Sequence, residues 1–153
     1  MKLLLKSILF ICVFANTSNA DLIKPNSKFK PFDVLLIQIN SLKNNNNPYK
    51  DAGIEQTWEF AHPSNRVFTG PIQRFTQMMY APSYVVMLDH KRHDILEVKL
   101  EDNIAYFFIE LTSVDVKIFG FRWTLEKVKE EGVFKDCWMT TSVSTPIPLS
   151  TSS

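Results

Sequence analysis

Cysteine, glycine and long apolar runs are scarce in this sequence, and each shortage removes a class of protein. Two cysteines in 153 residues cannot build the disulfide framework of a small secreted scaffold. Four glycines leave neither a collagen-like repeat nor a glycine-rich phosphate loop. Neither charge dominates: 17 Lys+Arg meet 16 Asp+Glu, a formal net charge of +1, which excludes a nucleic-acid binder relying on a large basic surplus. Beyond residue 20 no segment is apolar enough to span a bilayer, which takes about 20 residues. The sequence also lacks HExxH, CxxC, a nucleophile elbow and a serine–histidine–acid order, so no metal and no cofactor is expected. What remains is ordinary for one globular domain, with 45% hydrophobic and 22% charged residues.

Residues 1–20 read as a secretory signal peptide. Lys2 and Lys6 form a basic n-region, Leu3–Leu5 and Ile8–Phe14 an apolar core, and Ser18-Asn19-Ala20 a small-residue cleavage site. The chain is therefore expected to be exported, to a periplasm, a thylakoid lumen or the outside. Cys12 follows the bulky Ile11, which argues against lipid attachment. Cleavage after Ala20 leaves 133 residues with a formal charge of −1 and Cys137 as the sole thiol, expected to be buried beside Trp138.

Helical patterning comes first. Residues 21–30 show no period and read as a flexible arm. Pro31 suits a first helical position, and Phe32, Leu35, Leu36, Ile39 and Leu42 form a stripe that ends at the asparagine run before Pro48. Asp51 is the expected N-cap of a second helix carrying Ile54, Trp58 and Ala61, stopped by Pro63. Residues 64–69 read as a loop. Gly70-Pro71 opens a third helix with Ile72, Phe75 and Met79 on one face, and Pro82 closes it.

The period then changes to two. Tyr84–Leu88 reads as a short strand. Leu96, Val98 and Leu100 alternate with Glu97, Lys99 and Glu101 as a half-buried strand, followed by a turn at Asp102-Asn103. Ile104–Leu111 is nearly all apolar and is expected to be covered on both faces. Val116–Lys129 sets Phe119, Phe121, Trp123 and Leu125 on one side, with Gly120 as an expected bulge or bend. A turn at Glu131-Gly132 leads into a strand over Val133–Val143, and the Ser/Thr/Pro-rich residues 145–153 read as a disordered tail. The expected fold is a single α+β domain over residues 31–144, with three N-terminal helices on a curved, mainly antiparallel sheet of four to five strands. A cone open at one end is the leading form and a flat two-layer sandwich the competing one.

A pattern running from Gln38 to Val143 resembles an uncharacterised family of small bacterial, algal and plant proteins, a domain of unknown function. Its carriers are Gln38, Leu42 and the Asn run, Trp58-Glu59-Phe60-Ala61, Asn65, Thr69-Gly70-Pro71, Phe75, Met79, Pro82, Tyr84, Leu88, His90, Trp123, Gly132 and Trp138. That family is similar to the nuclear-transport-factor-2-like superfamily, which implies the cone fold. No single activity comes with the resemblance, because the superfamily holds isomerases, dehydratases, carriers and interaction modules.

Three groups of residues are candidates for function. Asp89, His90 and His93 would pair an imidazole with a carboxylate as a general base, or simply form a polar turn. Asn65 and Arg66 would hold an anionic group, or shape a turn and meet solvent. Trp58, Trp123 and Trp138, with Tyr84 and Tyr106, would line an apolar pocket, or serve only as core. The leading expectation is a non-enzymatic exported domain that binds a small apolar ligand or a partner protein. The alternatives are a small lyase or isomerase with a His–Asp base, and a self-associating module that forms a homodimer through its sheet.

Overall fold

A computed structural model describes residues 21–149; the expected signal peptide and residues 150–153 lie outside the described residues. Pro31 opens α1 (Pro31–Lys43), where a missing N–H costs nothing. Asp33 accepts from the Lys30 N–H at 2.8 Å and so closes that end. Val34, Leu35, Gln38, Ile39 and Leu42 turn inward, while Phe32 stays 43% exposed. The asparagine run ends α1 and ties it to α2 (Ala52–Glu59). The fully buried Asn45 accepts from the Ile54 N–H at 3.0 Å, and its carbonyl accepts from Gly53 at 2.9 Å. Gly53 permits this approach: a Cβ there would lie 2.1 Å from the Ser41 carbonyl oxygen. Asp51 precedes α2 at φ 65° without capping it; its carboxylate takes bonds from Asn45 and the Tyr80 hydroxyl instead.

The expected loop at residues 64–69 belongs to a helix, α3 (Pro63–Thr69), so among the described residues four helices precede the sheet rather than three. Pro63 starts this helix instead of only stopping the previous one, and His62 Nδ1 caps it by accepting the Ser64 N–H at 3.1 Å. Helix α4 (Ile72–Met79) buries Phe75 and Met79. Tyr84–Leu88, expected as a strand, forms a 3-10 turn at Val85–Met87. Residues 21–30 carry no regular element but are tethered rather than free. Gln56 exchanges two hydrogen bonds with the Ile23 backbone, at 2.7 and 2.8 Å, and the Phe29 ring packs 6.1 Å from that of Phe60.

The sheet is antiparallel in the order β1 (Arg92–Leu100), β2 (Ile104–Thr112), β3 (Ile118–Lys127), β4 (Trp138–Val143), with β5 (Ile147–Leu149) also pairing β3. The fold is therefore α+β. Ala105, Phe107, Ile109 and Leu111 of β2 and Phe121, Trp123 and Leu125 of β3 face the helices and share one core with Leu35, Ile39, Leu42, Ile54 and Phe60. On β2 burial alternates, so the strand is not covered on both faces as its composition suggested: Tyr106 is 38% exposed. Leu96, Val98 and Leu100 are exposed rather than half-buried, because the helices do not reach that half of β1.

Gly120 makes no bulge. The β2–β3 register runs unbroken through it, and the Phe108 ring fills the space where a Cβ would sit. The irregularities fall at Ile95/Glu97 and Thr124/Leu125. Residues 133–137 precede β4 without joining a strand, and Cys137 is buried there with Val128 and Met139 in a small second cluster. Ile147–Leu149 of the expected disordered tail is ordered as β5.

Candidate functional site

Between the helices and the sheet lies a cavity of about 180 Å³. Its floor is buried and mainly apolar: Leu42 of α1, Phe75 and Met79 of α4, Met87, Ala61, and Trp123 of β3. Its mouth is formed by Met78, Tyr84, Val143, Asn65, Thr69 and Ser142, all at least partly exposed. The Tyr84 hydroxyl donates to the Val143 carbonyl at 3.2 Å and so spans the rim from the helical side to β4.

One polar chain crosses the floor. The Trp123 indole N–H donates to the Thr140 hydroxyl at 3.0 Å, and that hydroxyl donates to Gln38 Oε1 at 2.6 Å. Gln38 Nε2 donates to the Thr57 carbonyl at 3.0 Å. The Thr140 carbonyl takes the His62 N–H at 2.8 Å and Asn65 Nδ2 at 3.2 Å. These polar groups satisfy one another, so a buried apolar guest would leave none of these bonds broken. Among the described lining residues, the Tyr84 phenol is the one ionisable group, and burial raises its pKa. A second depression of about 280 Å³ beside Asp21 is more open and is lined by polar side chains such as Asn40, Asn44, Asn47 and Gln56.

The expected site residues divide sharply. Asn65, Tyr84 and Trp123 come together around the cavity. Trp58 stands behind it, its ring 5.1 Å from Phe75. Trp138 lies in the core under Lys127, away from the cavity lining. Arg66 is not poised for an anion. Its Nε donates to the Ala61 carbonyl at 3.0 Å, and its Nη2 to the carbonyls of Trp58 and Glu59 at 2.9 and 3.0 Å, which closes the C-terminal end of α2. Its guanidinium also lies 5.0 Å from the Trp58 ring, and burial lowers its pKa.

The expected His–Asp pair does not form. Asp89 sits at φ 53° and accepts from the Asn45 N–H at 3.0 Å and Asn46 Nδ2 at 3.1 Å. His90 pairs instead with His93, Nε2 to Nδ1 at 2.7 Å, and its own Nδ1 meets the Met87 carbonyl at 2.7 Å. A carbonyl only accepts, so Nδ1 of His90 carries the proton and Nε2 accepts from His93. Burial, with smaller effects from His93 and Lys43, pushes the His90 pKa down to about 4. Neither imidazole lines the cavity, although Met87 bridges the two places.

Sequence reasoning missed Gln38 and Thr140 as site residues. Gln38 was legible in principle, as a polar side chain in line with Leu35 and Leu42 on the buried stripe. Among the described residues no three His, Cys, Asp or Glu side chains gather to hold a metal ion, and no helix is long and apolar enough to cross a membrane. Compared with protein-family models, curated proteins and solved structures, the chain matches none.

Proposed function

We propose that this chain is an exported, non-enzymatic binder of a small apolar or amphipathic molecule, held between the helices and the sheet. The observation that carries the reading is the cavity itself. It has a buried floor of Leu42, Phe75, Met79, Met87 and Trp123, with the polar groups beside them already paired. An apolar cavity of about 150 Å³ holds a benzene-sized guest, so about 180 Å³ suits an apolar group of similar or slightly larger size. A polar end would remain at the mouth beside Asn65, Thr69 and Ser142. The leader pattern in residues 1–20 supports export. A cone-shaped sheet of the nuclear-transport-factor-2-like kind would place such a cavity at its open end. The lyase or isomerase reading is not favoured, because His90 and His93 stand outside the lining.

Native mass spectrometry of the chain, purified gently from its own host, tests this. The expected result is a retained small-molecule mass that is lost in an Ala61→Leu variant, whose added carbons fill the cavity. A native chain that is always bare, and that also takes up no apolar probe, would count against the proposal.

A further inference from the structure

Strand β1 is an edge strand with an unpaired side among the described residues. The Glu101 N–H donates to Ile104, so Glu101, Lys99 and Glu97 aim their backbone groups at β2. The alternation leaves the N–H and C=O groups of Val98 and Leu100 pointing outward. These residues are also exposed apolar side chains, at 57% and 62%. An open edge with apolar side chains is a template for another strand.

Five register centres, Leu96 to Leu100, would let a second copy of β1 pair antiparallel across a two-fold axis, and the charges separate them. Centring on Glu97 or on Lys99 would set like charges face to face. Centring on Leu96, the midpoint of β1, sets Val98 opposite Asp94 and Leu100 opposite Arg92, apolar against charged, and falls on the irregularity between Ile95 and Glu97, while centring on Leu100 leaves almost none of β1 overlapped. Centring on Val98 sets Glu97 opposite Lys99 twice, Leu96 opposite Leu100 twice, and Val98 opposite itself with its outward backbone groups in reach. Lys99 already touches Glu101 on its own strand at 2.9 Å, so it would sit between two carboxylates.

We infer that β1 is a homodimer interface, with a second copy of this chain added antiparallel about Val98 to join the two sheets edge to edge. The occupant is the chain itself because, in the register centred on Val98, its own charge order is self-complementary and its exposed apolar residues Leu96, Val98 and Leu100 meet one another. The edge lysine, a common guard against strand pairing, here meets a glutamate supplied by the same sequence in the partner.

Sedimentation of the purified chain over micromolar to submillimolar concentrations tests the inference. Wild type is expected to show a monomer–dimer equilibrium. Glu97→Lys replaces two opposed pairs with two like-charged ones and is expected to weaken the dimer about tenfold. Adding Lys99→Glu to the same chain restores the opposition and should return the dissociation constant to within about threefold of wild type. Val98→Pro removes an outward N–H at an edge position that tolerates proline, so it should give a folded monomer, checked by circular dichroism. A wild type that stays monomeric at the highest concentration overturns the inference. So does a dimer indifferent to Val98→Pro, which would place the contact elsewhere, such as the outer sheet face. A double charge swap as weak as the single one also overturns it.

Discussion

Acidification should destabilise the fold through His90, by an amount that the structure sets. The side chain is 2% exposed, and burial holds its pKa down to about 4, against about 6.5 in an unfolded chain. The unfolded chain therefore binds the proton more tightly. Stability is complete above about pH 6.5 and is lost as the pH falls toward 4. Between pH 7 and pH 5 the loss from this one group is about 2 kcal/mol, approaching about 3 kcal/mol below pH 4. The window from pH 7 to 5 lies above the range where ordinary carboxylates titrate, which isolates the imidazoles. His62 and His93 are also lowered by burial and act in the same direction. The His90→Asn variant keeps a donor for the Met87 carbonyl but cannot take up a proton. Urea denaturation at pH 7 and pH 5 is the assay, and the wild-type midpoint should fall by about 1 M. The variant, less stable at pH 7, should lose at least about 1 kcal/mol less than wild type over that interval. Equal losses in the two proteins would refute the assignment of the acid sensitivity to His90.

Three substitutions probe the scaffold around the cavity. Gly53→Ala drives a Cβ into the Ser41 and Asn45 backbone and should cost about 3 kcal/mol or more in thermal or urea unfolding. Thr140→Val keeps the shape but strands the Trp123 N–H and Gln38 Oε1. It should cost about 2–4 kcal/mol and shift the Trp123 indole resonance in a proton spectrum. Arg66→Lys loses the fork that reaches three carbonyls and should lower stability by about 1–2 kcal/mol, without changing phosphate binding measured by calorimetry.

How far the sequence spoke depended on whether a signal was local. Helix α1 was legible because Pro31 and the Leu35–Ile39–Leu42 spacing agree with each other. Helix α3 was not, since its seven residues bury none of their side chains and so have no stripe to read. The strand character of β1 showed in its alternation, but the side left open did not, because no period reports where the helices stop. Strand β5 was hidden by its Ser/Thr/Pro surroundings, and it is the pairing of Ile147 with Gly120 that orders it. Around the cavity, the aromatic residues Tyr84 and Trp123 drew attention by size. Thr140 did not, because its partner Gln38 lies 102 residues away in the chain. Asp89 stood next to His90 in sequence, yet the backbone at φ 53° carries the two apart, and Asn45 receives the carboxylate instead.

The methionines offer the most direct test of the cavity as a binding site. Met78, Met79 and Met87 line it, whereas Met139 is buried in the separate cluster with Cys137. Labelled methionine methyl groups would be followed by NMR while toluene is added to the purified chain. Saturable shifts at Met78, Met79 and Met87, with Met139 unmoved and all shifts abolished by Ala61→Leu, are the predicted result. Unchanged resonances at all four methionines, or equal shifts at Met139, would contradict an apolar ligand site between the helices and the sheet.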